Sequence, residues 1–144
     1  MVSSMVTVQY QHEFPYTYVE EYDDYFPILT LRMTNPHQSE QSLDIDGYLD
    51  SGAKRSLFDG WIAATLGFDL FSGPKVTHGS STGFQTTGHL HQVRFFHPAL
   101  GSFDLEISFS TVEISRNLIG RDFFNLVQIG FHEKFLTFYL TPTP

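Results

Sequence analysis

The sequence predicts an all-β domain with one or two short helices, and three observations support this fold class. Short segments in which apolar and polar residues alternate recur along the 144 residues, and this period is typical of half-buried strands. Phe and Tyr are abundant, with 15 and 7 residues, and aromatic residues favour strands. Turns rich in glycine and polar residues separate the segments, so we expect a closed or sandwiched β domain.

Length and composition narrow the class of protein. A chain of this length buries one core, and without a linker it is predicted to form a single domain, residues 1–144. The formal net charge of −8 argues against a nucleic-acid partner, because phosphate binding needs a basic surface. Cysteine is absent, which excludes disulfides and thiol nucleophiles and fits a cytoplasmic location. No apolar run reaches membrane-spanning length and the first residues lack a signal core, so we expect no membrane contact.

The first half of the chain contains two predicted strands. Residues 1–25 are aromatic and acidic, and we interpret them as an N-terminal extension or interface segment with a solvated acidic loop. One half-buried strand follows Pro27, residues 34–41 are predicted to be a loop, and a second strand ends at Asp50. The residues expected to face inward are Leu29, Leu31, Met33, Leu43, Ile45 and Leu49.

The second half begins with a short helix, "DGWIAATLG", with Asp59 as N-cap and Gly67 just past its end. Trp61 is expected to pack this helix on the core. The stretch "KVTHGSSTGFQTTGHLHQVRFF" has strand-like ends around a polar, glycine-rich middle, which predicts a long hairpin. "SFDLEISF" predicts another strand, "NLIGRDFFNLV" a strand end, glycine turn and short helix, and "EKFLTFYL" a last strand before a tail at residues 141–144.

Two of these segments share one pattern although they lie far apart in the sequence. In "YLDSGA" and in "NLIGRDFF" an apolar strand enters a tight turn that contains glycine. An Asp held at the end of a buried strand is energetically costly, and such a cost often marks a functional site. Asp50 therefore marks a candidate functional site.

Together the two segments resemble the retropepsin-like aspartic proteases. The resemblance spans Pro27 to Leu140 and includes the Asp-Ser-Gly-Ala loop, the "AATLGF" helix end, the glycine-rich hairpin and Leu-Ile-Gly-Arg-Asp at 118–122. It implies a closed β-barrel lobe with a flap hairpin, and an aspartic endopeptidase that needs no cofactor or metal. Because the chain has one Asp-Ser-Gly and the chemistry needs two carboxylates, it also implies a homodimer that supplies one Asp50 from each subunit.

Six residues are expected to support the catalytic loop. Gly52 allows a sharp turn, the Ser51 hydroxyl can tie two loops together, and Ala53 offers no hydroxyl that would lower the carboxylate pKa values. We therefore expect an optimum between weakly acidic and near-neutral pH. The loop-supporting residues are Ser51, Gly52, Ala53, Leu118, Ile119 and Gly120.

The hairpin around His78–Leu90 is the expected flap, which would close over a peptide bound as an added β-strand. Gly79, Gly83 and Gly88 are expected to make it mobile. The flap residues expected to bind substrate are His78, Gly79, Ser80, Ser81, Thr82 and Gly83.

One position departs from the retroviral pattern. Lys54 stands where retroviral enzymes commonly carry an acidic residue that pairs with the arginine corresponding to Arg121. The partner of Arg121 is left open, with Asp122 and Asp59 as candidates. The segments 6–10 and 135–140 are candidates for the dimer interface.

Other functions have weaker support in the sequence. "GSSTG", with Asp104 and His132 behind it, matches a serine-hydrolase motif, but no helix is predicted to follow it as that motif requires. His89 and His91 share a strand face and could chelate a metal, yet no third ligand has a matching spacing. The main alternative is an inactive dimer of the same fold that acts as a peptide-binding or assembly module.

Overall fold

A computed structural model describes residues 4–79 and 83–144 of the chain. It confirms the all-β prediction, since short strands make up most of these residues. The strands are β1 (His12–Pro15), β2 (Thr17–Val19), β3 (Asp24–Phe26), β4 (Ile28–Asn35), β5 (Gln38–Leu49), β6 (Leu57–Phe58), β7 (Lys75–Gly79), β8 (Gln85–His97), β9 (Gly101–Ser110), β10 (Leu118–Ile119), β11 (Val127–His132) and β12 (Thr137–Pro142). The α-helices are α1 (Gly60–Thr65) and α2 (Arg121–Phe124), and 3₁₀ turns occupy Glu20–Tyr22, Leu70–Ser72 and Glu133–Phe135.

The main sheet curls back on itself. Its strand order is β4-β5-β10-β6-β9-β8-β7, and β4 also pairs with β8, so six strands surround the core while β7 extends beyond them. A second sheet has the order β1-β12-β11, and β2 and β3 form a separate hairpin. Parallel and antiparallel pairs are mixed, because β10 runs parallel to β5 but antiparallel to β6.

The core is built from the predicted inward faces and is rich in aromatic rings. Leu29, Leu31 and Met33 of β4 are buried, as the period-2 pattern predicts. Phe103 packs edge-to-face on Phe123 with ring centroids 5.1 Å apart. Such contacts between rings add to the free energy of burying the aromatic surface itself.

Helix α1 begins and ends where its sequence predicts. The Asp59 carboxylate accepts the Trp61 N–H at 3.2 Å, and Gly67 follows the helix with φ of +79°. The prediction for Trp61 is wrong, because its side chain is 56% exposed. Ile62 and Ala63 make the core contacts instead, since the short helix turns only one narrow face inward.

Three further expectations need correction. Residues 34–41 are not a loop, because β4 and β5 pair through this region and only Pro36 and His37 form the turn between them. The segment 1–25 is in part an element of the domain's own sheets, because β1 pairs with β12 and β2 pairs with β3. The tail is shorter than predicted, because β12 includes Thr141 and Pro142. In the first two cases backbone pairing orders a segment whose side chains are mostly exposed. Within the described ranges, no helix is long and apolar enough to cross a membrane.

Two glycines of the β7–β8 hairpin provide a matched pair of substitutions. A Cβ at Gly88 would overlap Ser108 Oγ and lie 2.9 Å from the backbone oxygen of Phe109, so Gly88→Ala is expected to lower the free energy of unfolding by about 1–3 kcal/mol. A Cβ at Gly79 would meet no described atom within 4 Å, so Gly79→Ala is expected to change it by less than about 1 kcal/mol. Urea denaturation measures both, and equal stabilities would contradict the close packing of β8 on β9.

Candidate active site

The candidate catalytic residue, Asp50, lies directly after β5 and is held by backbone hydrogen bonds. Its N–H donates to the Ile119 carbonyl at 2.9 Å, and its own carbonyl accepts the Ala53 N–H at 3.2 Å. The Gly52 N–H donates to Asp50 Oδ1 at 2.8 Å. A Cβ at Gly52 would lie 3.2 Å from the same oxygen, so glycine suits this tight turn. The loop therefore orients the Asp50 carboxylate with its own backbone.

Strand β10 lies between the two strands that the Asp50 loop connects. Leu118 and Ile119 pair with Tyr48 and Leu49 of β5, and Leu118 also pairs with Leu57 of β6. Ile119 is completely buried. Leu118 and Ile119 thus pair with the strand residues on either side of the Asp50 loop, and their role in supporting the loop stays a prediction.

Gly120 allows a close approach between the two segments that the sequence singled out. A Cβ at this position would lie 2.6 Å from the Ala53 carbonyl oxygen and 2.8 Å from the Arg55 carbonyl carbon. Both are backbone atoms, which cannot move aside as a flexible side chain can. The Arg121 N–H donates to the Ala53 carbonyl at 2.8 Å, and this bond depends on the close approach.

Asp122 contributes a contact that the sequence did not predict. Its carboxylate accepts the Ser56 N–H at 2.8 Å, the Ser56 hydroxyl at 2.7 Å and the Phe123 N–H at 2.8 Å. Ser56 Oγ in turn accepts the Gly120 N–H at 3.0 Å. Asp122 therefore ties the end of the Asp50 loop to the first turn of α2.

Neither candidate partner of Arg121 pairs with it. Asp122 is occupied by Ser56, and Asp59 caps α1 while also accepting the Ile114 N–H at 3.0 Å. Within the described parts of the chain, Arg121 has no acidic partner within 4.0 Å. The sequence could not anticipate this, because Asp122 and Ser56 are 66 residues apart.

Two cavities flank the Asp50 loop, and Leu118 lines both. The larger, with a volume of about 470 Å³, lies between the loop residues 52–55 and strand β7, and His78 and Gly79 form part of its wall. The smaller, of about 330 Å³, is lined by Asp50 itself together with Tyr48 and Arg116. A peptide lying across the loop would contact both cavities.

The expected flap residues are placed only in part. His78 and Gly79 end β7, and Gly83 is exposed with φ of +86°. Ser80, Ser81 and Thr82 lie outside the described residues. Gly88 is not a source of mobility, because it is buried in β8 and closely packed on Ser108.

His78 is a half-buried titratable group in the wall of the larger cavity. Its Nε2 hydrogen-bonds with Ser108 Oγ at 2.9 Å. Burial lowers the pKa of the His78 imidazole, the positive charge of Arg55 lowers it further, and the negative charge of Asp122 opposes the shift. The neutral imidazole is therefore favoured in the folded protein.

Three aromatic rings flank the exposed cation of Arg116 beside Asp50, and the sequence alone does not predict this feature. The Arg116 guanidinium carbon lies 4.9 Å from the ring centroid of Tyr22, 5.4 Å from that of Phe26 and 5.0 Å from that of Tyr48. Burial raises the pKa of the Tyr48 hydroxyl, and the charge of Arg116 opposes that shift. The aromatic composition of residues 1–25 is the only sign of this cluster in the sequence, because Arg116 lies far along the chain from Tyr22, Phe26 and Tyr48.

The two weaker site hypotheses lack structural support. His89 Nδ1 hydrogen-bonds with the Gly73 carbonyl at 2.8 Å and His91 Nε2 with the Leu70 carbonyl at 2.9 Å, so each ring uses a nitrogen to hold the 70–74 segment. Strand β8 follows "GSSTG" where the serine-hydrolase motif needs a helix. Asp104 is paired with Arg94 at 2.7 Å.

Among the comparisons with known proteins, the one with solved structures identifies the fold. No family model and no curated protein sequence matches the chain. The crystal structure of a retropepsin-like aspartic protease from Rickettsia conorii is similar, with a TM-score of 0.60 and 12% identity over 90% of this chain and 98% of that one. The EIAV protease, solved in complex with an inhibitor, has a TM-score of 0.50 and 14% identity over 69% of this chain and 86% of that one.

This chain has the retropepsin-like fold. Its sequence identity to these two proteins is low, so the likeness establishes the retropepsin-like architecture and not the activity. The resemblance noted in the sequence is thereby confirmed at the level of fold. The catalytic role of Asp50 stays a prediction.

The structure shows the conformation of the two segments, 6–10 and 135–140, that are candidates for a dimer interface, and the interface itself stays a prediction. Residues 6–10 form no strand, and Val6 is 76% exposed. Most of segment 135–140 belongs to β12, which is the central strand of its sheet and pairs with both β1 and β11. Its backbone groups are used within the chain, so β12 offers no free edge for pairing with a second subunit.

Removing the Asp122 carboxylate tests its structural role. Asp122→Ala leaves the Ser56 N–H and hydroxyl without their acceptor, so the free energy of unfolding is expected to fall by about 2–4 kcal/mol. Asp44→Ala is the control, because Asp44 forms an exposed ion pair with Arg32 at 3.0 Å and should contribute less than about 1 kcal/mol. Urea denaturation compares the two, and a smaller loss at Asp122 than at Asp44 would refute the role.

The lowered pKa of His78 predicts a pH dependence. Its ordinary pKa is 6.5, so below that pH the unfolded chain binds a proton more readily than the folded one and the folded state loses stability. Above pH 6.5 His78 should make no pH-dependent contribution. Unfolding of wild type and His78→Gln should therefore show a smaller stability loss from pH 7.5 to 5 in the variant, with the exposed His132→Gln as control. A variant profile parallel to wild type would contradict the assignment.

Proposed function

We propose that this chain is an aspartic endopeptidase that acts as a symmetric homodimer, with Asp50 of each subunit as the catalytic pair. The observation that carries the proposal is the placement of Asp50 after a buried strand, fixed by the Gly52 and Ile119 hydrogen bonds and facing a cavity. The retropepsin-like fold supports it, because one similar structure is described as a retropepsin-like aspartic protease and the other as a protease.

The need for a second subunit follows from the composition of the cleft. Among the described residues that line the two cavities beside the loop, Asp50 is the one carboxylate. Hydrolysis by water activation needs an acid and a base on either side of the water. A two-fold axis near the Asp50 loop would bring the second carboxylate from the partner and complete the site.

The chemistry follows from two carboxylates placed close together. They cannot both ionise at low cost, so they share one proton and their apparent pKa values separate. The ionised carboxylate takes a proton from water as the water attacks the peptide carbonyl carbon, and the protonated carboxylate donates to the carbonyl oxygen. The tetrahedral diol then breaks its C–N bond as the nitrogen is protonated, which releases an amine and a carboxylic acid.

The supporting residues have corresponding roles in this proposal. Ser51 is exposed at the tip of the loop, where its hydroxyl can contact the partner's loop. Ala53 provides no hydroxyl to the carboxylates, so the activity optimum is proposed to lie between weakly acidic and neutral pH. Leu118, Ile119 and Gly120 hold the loop rigidly, which preserves the distance between the two carboxylates.

The β7–β8 hairpin is the proposed flap. Strand β7 is the outer strand of the main sheet and forms the wall of the larger cavity opposite the Asp50 loop. An extended peptide held between them would be shielded from water during catalysis. His78 and Gly79 would contact that peptide directly.

Cleavage by wild type and Asp50→Asn tests the proposal. Purified protein is incubated with a diverse peptide mixture from pH 4 to pH 7.5, and products are identified by mass spectrometry. Cleavage is expected in the wild type and a loss of at least ~10³-fold in Asp50→Asn, since the asparagine amide cannot act as a base. Asp46→Asn is the control, because Asp46 is an exposed carboxylate on β5, the strand that Asp50 follows.

Dilution tests the homodimer separately. If each site needs two chains, the specific activity falls as the protein is diluted below the dimer dissociation constant. Equal specific activity at all concentrations, with a monomeric mass by sedimentation, would refute the shared site. A folded dimer that cleaves no peptide at any pH would refute the enzyme and favour the peptide-binding module.

A further inference from the structure

We infer that the cleft selects peptides with acidic side chains close to the scissile bond, an inference that rests on the proposed function. Four basic residues line the cavities around the Asp50 loop, and they are half of the eight Lys and Arg residues of the chain. They are Lys54, Arg55, Arg116 and Arg121.

On one side of Asp50 the positive charge belongs to the loop itself. Lys54 and Arg55 line the larger cavity between the loop and β7. The same two residues line an adjoining cavity of about 400 Å³, together with Arg121 and Asp122. A peptide in the larger cavity would therefore pass beside two cations, with a third in the next cavity.

The acidic residues of the chain do little to neutralise these cations. Glu106 approaches Arg55 only to 3.9 Å, with both side chains partly exposed, and such a pair contributes little. The Asp122 carboxylate is occupied by three hydrogen bonds from Ser56 and Phe123. Lys54 and Arg121 have no carboxylate within 4.0 Å among the described residues, so both can bind an anionic group of the substrate.

On the other side of Asp50, the exposed Arg116 presents a guanidinium to the smaller cavity. The rings of Tyr22, Phe26 and Tyr48 hold it by cation–π contacts, which leave its N–H donors available. It lines the smaller cavity together with Asp50. Within residues 4–79 and 83–144 it forms no ion pair. A substrate carboxylate in this cavity would gain charge-assisted hydrogen bonds.

The rest of the molecule makes this placement selective. The formal charge is −8, and without the four cleft cations the remaining residues would carry −12. An acidic peptide is therefore repelled by most of the surface and attracted at the cleft, which favours binding in one place. A basic peptide would be attracted elsewhere and repelled beside Asp50.

Paired peptides test the inference on the active enzyme. Each peptide cleaved by the wild type is synthesised with Glu, and again with Gln, at the positions flanking the scissile bond. We expect kcat/KM to be about tenfold higher for the Glu form, the effect of one charge-assisted hydrogen bond.

Lys54→Glu combined with Arg55→Glu should reverse the preference, and Lys54→Gln should weaken it. Lys134→Glu, an exposed change of the same charge on the Glu133–Phe135 turn, should leave it unchanged. Equal rates for Glu and Gln forms would overturn the inference.

Binding to Asp50→Asn separates this inference from the proposed catalysis. Fluorescence anisotropy with labelled Glu and Gln peptides needs no turnover, so it applies even if the wild type cleaves nothing. Tighter binding of the Glu peptide, lost in Asp50→Asn with Lys54→Gln and Arg116→Gln, would support an acidic-peptide cleft whatever becomes of the enzyme assignment. Equal binding of both peptides, or binding of neither, would overturn it.

Discussion

The hydrogen bonds accepted by the Asp122 carboxylate are the constraint on which the rest of the candidate site depends. They join Ser56, at the end of the Asp50 loop, to the first turn of α2. The Ser56 hydroxyl oxygen also accepts the Gly120 N–H. Ser56 is fully buried, so water cannot replace the bonds if the carboxylate is lost. The carboxylate receives three donors, enough to offset the cost of bringing its charge beside the core.

This connection explains why a strand of only two residues can position Asp50. Strand β10 is too short to hold itself between β5 and β6 by its own pairing. The Gly120 turn and Asp122 fix β10 at its C-terminal end, and the buried Ile119 side chain anchors it in the core. The Ile119 carbonyl then binds the Asp50 N–H. Any movement of α2 would therefore reach the Asp50 carboxylate through a few hydrogen bonds, and the proposed meeting of two Asp50 carboxylates would require such a rigid connection.

How much the sequence predicts depends on whether a signal is local. Alternation identified β4, β5 and β9, and the Asp59 cap with Gly67 identified α1, because each pattern lies within a dozen residues. The polar composition of residues 34–41 predicts a loop. In fact they extend a hairpin whose backbone pairing does not require burial of their side chains. Asp50, Ile119 and Gly120 belong to the two strand-and-glycine-turn segments, which are also local patterns. The Asp122–Ser56 bond and the aromatic contacts of Arg116 were missed, because they join residues far apart in the sequence.

The same connection accounts for the charge of the cleft. Asp122 binds Ser56 and Asp59 caps α1. Both candidate partners of Arg121 therefore use their carboxylates in other hydrogen bonds. Lys54 adds a second cation at a loop position where an acidic residue would have neutralised the first. The Asp59 and Asp122 carboxylates bind N–H and O–H donors and, among the described residues, form no ion pairs with the cleft cations. The cleft therefore keeps a positive charge although the protein as a whole is acidic. The proposed preference for acidic substrates would then share one physical origin with the rigidity of the Asp50 loop.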